Sequence, residues 1–503
     1  MKTIRVNPQN SWFIFCIDVR GNRRCNRSMT QRLLSLGWTV VLFTLTTIIA
    51  QAETKLPSIL GSHMVLQRDA ACPIWGWDDA GTKVTVTFVD QTHTTEAGKD
   101  GRWQVNLTAM KANAKGRALT VKGSSTVKLE DVLVGEVWLC SGQSNMEWTV
   151  SRSTNAKEEI ANAKHPLIRH IKIPHRPSAK PESDVPSTGW QPSTPKVTGN
   201  FTAVGYYFAR YLQGELNVPI GLIGSNWGGT RIEPWIPPAG FKSVPALKNI
   251  ADKLDEFPQK NGNRINHQSA LALYNGMIHP LLPYSIKGAL WYQGESNNGE
   301  GMLYYEKMRA LISGWRSVWR NADMPFLFVQ LAPYKYGGDP KRLAGIWQAQ
   351  LSAVKNIPHT GMAVTTDITT LRNIHPPNKQ DVGKRLALWA LANTYGKKGI
   401  VYSGPLFKSL TIKDGRAIVD FDHAEGIKAR DDKPLTHFEL LTAEGQWFPA
   451  GAYVHEGKII VTSKAVRKPI GVRLGWDQLA EPNLVNGAGL PASPFTAKVG
   501  KKL

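Results

Sequence analysis

Trp138-Leu-Cys-Ser-Gly-Gln-Ser-Asn-Met-Glu-Trp148, written WLCSGQSNMEW, is an apolar run that breaks off in small and polar residues and then turns apolar again. The run leading into it, from Glu136 to Cys140, shows no polar alternation, as expected of a strand covered on both faces. Two serines, Ser141 and Ser144, sit three apart around Gly142 where that strand ends. The placement asks why a buried strand should deliver a serine to its tip.

Working outward, four more short apolar runs read as strands: Ile220–Gly224, Lys287–Tyr292, Phe326–Leu331 and Met362–Thr366. Helical patterns lie between them. Val204, Tyr207, Phe208, Tyr211 and Leu212 repeat at helical spacing, with Thr202 as a candidate cap and Pro219 as a stop. Leu303 to Trp319 is a second such segment. Val382, Leu386, Trp389 and Ala390 mark a third, which Pro376 and Pro377 can start and Gly396 can end. Alternating β and α over residues 131–398 predicts a parallel, doubly wound sheet with helices on both faces. Residues 53–130 and 399–503 carry short β-branched runs separated by Gly, Asp and Asn turns, and each predicts a β-sandwich. The fold class is therefore α/β with flanking β regions.

The net charge of +22 could point to a nucleic-acid partner. However, +6 of it falls in residues 1–52 and the remaining +16 is scattered, without a Lys/Arg block. A solvated basic surface is the better reading, and no nucleic-acid partner is expected. The segment LLSLGWTVVLFTLTTIIAQA (33–52) follows Arg32 and ends small-x-small. It reads as a secretory signal peptide cut after Ala52, with a retained membrane anchor as runner-up. The expected location is secreted or periplasmic, without stable membrane insertion. Met29 is then a plausible start, with residues 1–28 an artefact of start-site choice. After cleavage only Cys72 and Cys140 remain, too few for a disulfide framework. No CxxC or HExxH spacing occurs, so neither a metal nor any other cofactor is expected. The chain is expected to be a monomer or a weak oligomer.

In parallel α/β sheets, ligands bind at the carboxyl ends of the strands. The five ends deliver Ser141-Gly-Gln-Ser144-Asn145, Ser225-Asn-Trp227-Gly-Gly229, Gln293-Gly-Glu295-Ser-Asn297, Ala332-Pro333, and Asp367 leading on to Asn373-Ile-His375. A serine hydroxyl becomes a nucleophile when a base takes its proton. His375 is the candidate base, kept neutral by the helix N-terminus that follows it. Attack on an ester carbonyl builds a negative oxygen that needs donors fixed in advance. The Gly228–Gly229 turn can offer a bare N–H, and the Gln293 amide another. The pattern GQSNM around Ser144 is not G-x-S-x-G, so the nucleophile elbow of the α/β-hydrolases is absent.

These stretches resemble the SGNH hydrolases, specifically the sialate O-acetylesterase-like carbohydrate esterases. The resemblance covers nearly all of residues 53–503. It is carried by LPSILGSHMVLQRD, VGEVWLCSGQSNMEW, GLIGSNWGGTRIEPW, GALWYQGESN, FVQLAPY, IHPPNKQDVGKRLA and NLVNGAGLPASPF. It implies a flavodoxin-like SGNH domain flanked by β domains, and hydrolysis of sugar O-acetyl esters through an acyl-enzyme. Carried over, Ser144 is the nucleophile and His375 the base, with Ser144 N–H, Gly229 and Gln293 forming the oxyanion hole. Asn145, Trp227, Arg231 and Glu295 are candidate substrate contacts. Against these stand structural readings: an Arg231–Glu233 ion pair holding the loop, Glu295 satisfying buried backbone, and Ser141 and Ser225 as turn residues. Of Trp148, Trp227, Trp235 and Trp291, one or two are expected to line the site.

One departure matters. The usual D-x-x-H acid is missing, because Arg372 stands three residues before His375. Asp367 can orient His375 if the loop folds back; otherwise a backbone carbonyl or Asn373 does so and a Ser-His dyad works alone. Acetylated xylan or xyloglucan is the rival substrate. A glycan-binding protein that lost catalysis is the alternative from a different class.

Overall fold

The structure, a computed structural model, describes residues 53–500. The signal-peptide reading and the choice of start site lie outside these residues.

The strand that opens the sequence argument is much longer than its apolar half. Strand β1 runs Thr126–Gly142. Its first half alternates exposed and buried residues, whereas its second half is buried at every position. The change marks where the strand leaves a β layer with one wet face and enters a sheet covered on both. The boundary expected at 130/131 thus falls inside one strand. The remaining strands of the central sheet are β2 His165–Lys172, β3 Gln191–Ser193, β4 Ile220–Asn226, β5 Gly288–Tyr292, β6 Phe326–Val329 and β7 Thr360–Ala363. Their order is β7-β6-β5-β1-β4-β2-β3. All pairings are parallel except β2–β3 at the edge. Without that edge the order is the 2-1-3-4-5 of a flavodoxin-like sheet.

The helices that matter here are α1 Ser144–Glu147, α2 Ala203–Leu216, α3 Leu303–Val318, α4 Arg342–Asn356 and α5 Lys379–Trp389. Thr202 stands at the N-cap of α2 but does not cap it; its hydroxyl donates to the Met146 carbonyl, 2.6 Å away. For α5, Asn378 is the cap, its side chain accepting the Asp381 N–H at 3.1 Å.

The N-terminal β region has two layers. Cys72–Trp77 pairs antiparallel with Arg102–Leu107. Lys83–Phe88 bridges Gln91–Glu96 and Asn113–Lys122, and the last of these pairs with β1. The C-terminal β region is a seven-stranded antiparallel sheet. Phe407 and Phe495, from its two edge strands, stack at 4.6 Å, so the sheet curls nearly into a barrel. Among the described residues, no helix is long and apolar enough to cross a membrane.

Candidate active site

The topological switch lies at β1, between β4 and β5, and the tips of these strands build the site. Gly142 ends β1 with φ +131°, and a Cβ there would overlap the Tyr292 carbonyl. That close approach requires glycine. It lets Gln143 N–H donate to the Tyr292 oxygen at 2.9 Å and starts α1 at Ser144. The segment beyond β7 crosses the sheet end, pinned where Thr369 Oγ1 donates to the Pro333 carbonyl beyond β6, at 2.6 Å. It delivers His375, whose Nε2 lies 2.8 Å from Ser144 Oγ.

The imidazole is held flat. Trp148 stacks on it, with ring centroids 4.9 Å apart and planes within 18°. Burial lowers the pKa of His375, and the nearby positive charges of Lys379 and Arg152 lower it further. A neutral imidazole with a free lone pair on Nε2 is what a general base needs. Sequence reasoning pointed to the helix terminus that follows; the structure adds burial and two cations.

Asp367 does not reach this ring. Both its oxygens are taken by Arg385 at 2.7 Å each. A bidentate guanidinium pair is a strong competitor for a carboxylate, and the loop does not fold back. Among the described residues no carboxylate hydrogen-bonds His375. Asn373 is not the orienting group either, since its Oδ1 accepts the His375 backbone N–H at 3.0 Å. It shapes the loop, not the ring.

The oxyanion side also needs correction. Gln293 is fully buried and its amide is spent. Nε2 donates to the Thr230 carbonyl at 3.1 Å and to Asn297 Oδ1 at 2.8 Å, while Oε1 accepts from Tyr304 at 2.9 Å. With both amide hydrogens used, no donor is left for an oxyanion. The backbone N–H groups of Ser144 and Gly229, in contrast, donate to no protein acceptor among the described residues. Ser144 is the first residue of α1, where an N–H has no intrahelical partner. The turn carrying Gly229 is held close, because Gly228 N–H donates to Glu147 Oε2 at 2.7 Å and a Gly228 Cβ would lie 3.2 Å from Ser144 Cβ. Burial raises the Glu147 pKa, but His175 and Lys172 outweigh it and hold the carboxyl at about 2.

The remaining candidates are mostly occupied. Arg231 pairs with Glu233 at 2.9 Å and with Glu300, and Lys307 bridges the same two carboxylates at 2.7 and 2.6 Å. The ion-pair reading of Arg231 is therefore the one the geometry bears out. Trp227 already stacks on His175 and His267, at 4.4 and 4.7 Å, so much of its ring surface is engaged within the protein. Trp235 and Trp291 are fully buried core. Asn145 and Glu295 are buried beneath the pair rather than facing outward, Asn145 Nδ2 donating to Glu295 Oε1 at 2.6 Å. Ser225 Oγ donates to the Met277 carbonyl at 2.9 Å, and Ser141 is fully buried. Lys379, which sequence reasoning missed, sits under the same floor. Among the described residues, no group of three or more His, Cys, Asp or Glu side chains converges as metal ligands.

Comparison with known proteins gives the family of the chain. The family model described as carbohydrate esterase, sialic acid-specific acetylesterase, matches residues 134–392. This chain belongs to that family. Among curated relatives, the sialate O-acetylesterase of Rattus norvegicus is 31% identical, covering 88% of this chain and 94% of that protein. That of Homo sapiens is 31% identical over 88% and 92%. A solved carbohydrate acetylesterase from Xanthomonas citri superposes with a TM-score of 0.81 at 36% identity, covering 89% of this chain and all of that one. That acetylesterase thus shares the overall fold of this chain.

Proposed function

We propose that this esterase removes O-acetyl groups from sugars by a serine acyl-enzyme mechanism. The 2.8 Å contact between His375 Nε2 and Ser144 Oγ carries the reading. His375 takes the Ser144 proton as Oγ bonds to the acetyl carbon. The negative oxygen of the tetrahedral adduct receives the Ser144 and Gly229 N–H groups. Collapse breaks the bond to the sugar oxygen, which leaves with the proton from His375. Water, deprotonated by the same imidazole, then attacks the acetyl-serine, releasing acetate and restoring the hydroxyl. No side chain needs to pair with Nδ1, because the Trp148 stack and the loop already fix the ring. The pair works as a dyad.

The curated relatives bear the name sialate O-acetylesterase, which supports O-acetylated sialic acid as substrate. Acetylated xylan or xyloglucan is the rival, because the same core serves either ester. The reading includes export, from the segment at 33–52, and no requirement for a cofactor. Ser144→Ala and His375→Ala should each lower turnover of p-nitrophenyl acetate by about 10³-fold or more with the fold intact. Full activity in Ser144→Ala overturns the mechanism. Acetate release from the two glycan classes distinguishes the substrates, and glycan binding without turnover in the wild type would favour a non-catalytic protein.

A further inference from the structure

A lysine buried under an imidazole that must stay neutral calls for a reason. Lys379, the first residue of α5, is fully buried. Its Nζ donates to Asn145 Oδ1 at 2.5 Å and lies 5.0 Å over the Tyr292 ring and 6.0 Å over that of Trp148. Asn145 follows the nucleophile directly, and its amide is used in full. Oδ1 accepts from Lys379, and Nδ2 donates to Glu295 Oε1 at 2.6 Å and to the Ile374 carbonyl at 3.0 Å. Ile374 is the residue before His375. One amide therefore joins the nucleophile's helix, the base's loop, α5 and the turn after β5. Only asparagine or glutamine offers one acceptor and two donors in a plane, and glutamine is a methylene too long for this spacing.

We propose that Lys379 and Asn145 are positioning residues for the Ser144–His375 pair. Lys379 anchors the Asn145 amide, Asn145 fixes the Ile374–His375 backbone against α1, and the ammonium keeps a positive charge behind the imidazole. In this arrangement the row Lys379–Asn145–Glu295 takes over the orienting task of the carboxylate this chain does not place at His375. The inference rests on the proposed roles of Ser144 and His375. Other groups around the imidazole are Ser144 from α1, Trp148 just beyond it and Arg152 from the turn Val150–Arg152, with Arg372 exposed on its own loop. Glu295 lies behind Asn145, and the Tyr292 and Tyr336 phenols are close enough to feel its charge. Burial pulls the Lys379 pKa down to about 7, with Glu295 opposing, and raises that of Glu295. Lys379 thus loses its charge where many esterases work, and its influence on His375 fades with rising pH.

The test is turnover of p-nitrophenyl acetate by Lys379→Met, Asn145→Ala and Ser144→Ala in the full chain, with thermal melts to confirm folding. Lys379→Met should lower kcat by about 10-fold or more with KM within about 2-fold, since small misplacement of a reacting pair is felt mainly in rate. Its acid limb of kcat/KM should also move to higher pH, because an imidazole without a cation behind it holds its proton more tightly. Asn145→Ala keeps the charge but cuts the tie to Ile374, so kcat should fall similarly; it decides the question if Lys379→Met does not fold. Wild-type kcat in Asn145→Ala overturns the proposal, as does a Lys379→Met loss of rate with the acid limb unmoved. Activity in Ser144→Ala would instead overturn the reading of the reacting pair itself.

Discussion

Glu147 shows how a site is set by residues that never touch the reacting atoms. One of its oxygens holds the Gly228 N–H, while the other takes Lys172 at 3.1 Å and His175 at 2.7 Å. The carboxylate therefore ties α1, which carries Ser144, to the turn that carries the Gly229 N–H. Glu147→Ala leaves the Gly228 donor unpaired and the turn slack. We expect kcat to fall by about 10- to 100-fold, less than the loss of a whole oxyanion donor because the Gly229 N–H is loosened and not removed, with a smaller change in KM. Glu147→Gln keeps one acceptor without the charge and should fall between. Steady-state kinetics on p-nitrophenyl acetate check this, and wild-type kcat in the alanine variant sinks it. The same reasoning applies to pH in the wild type. Burial and the cations Lys379 and Arg152 lower the His375 pKa, so the acid limb of kcat/KM should lie below about 6.5, the ordinary histidine value.

At the scale of elements, the decisive device is the end of β1. Gly142→Ala would drive a methyl into the Tyr292 carbonyl at a φ that side chains rarely adopt. The strained backbone alone costs about 1–3 kcal/mol, and β1 must also part from β5. The expected result is a lower melting temperature, together with a loss of activity larger than the destabilisation explains; a variant as stable and as active as wild type would refute it. This strand, the four others and the Ser144–His375 pair were legible in the sequence, because buried parallel strands read as unbroken apolar runs and the motifs sit at their tips. Other elements were not. β2 contains His165, Arg169, His170 and Lys172, and its polarity hides a strand paired on both sides, between β4 and β3, in which Arg169 is buried against Asp131, 2.8 Å away. Helix α4 buries Gln348 and Gln350, which blur its periodicity; Gln350 is buried because its amide bonds the Leu331 N–H and the Val329 carbonyl beside β6. The roles of Gln293, Trp227 and Asp367 were misread for one shared reason. Side-chain chemistry says what a group can offer, but partners distant in the chain, here Thr230, His175 and Arg385, decide whether the group is already engaged.

The outlying β regions are fastened to the central sheet near the site. Gln330 Nε2 donates to Ser493 Oγ at 2.8 Å, and Gln478 accepts the Tyr334 and Tyr336 N–H groups at 2.9 Å each. Lys335 N–H then meets the Leu371 carbonyl at 3.0 Å, so the C-terminal region braces the segment that presents His375. Beside the Gly229 turn, the Arg231–Glu233–Lys307–Glu300 cluster locks α3 to the end of β4, and this makes the whole molecule sensitive to acid. Burial raises the Glu233 pKa, but Lys307 and Arg231 outweigh it, taking it from the ordinary 4.5 to about 2. A carboxyl whose folded pKa is depressed adds stability that is complete above its unfolded pKa and is lost as pH falls through the folded one. Glu147 has the same sign and window. The melting temperature should therefore hold steady down to about pH 5 and decline from there towards pH 2, the range set by these two carboxyls and the ordinary carboxylate values. Glu233→Gln removes one charge from between Arg231 and Lys307. It should be less stable than wild type at neutral pH, yet lose less on acidification, because the proton that disrupts the cluster no longer has that place to bind. Melting curves for both proteins across pH 7 to 2 make the comparison; parallel declines would mean that this cluster does not govern acid stability.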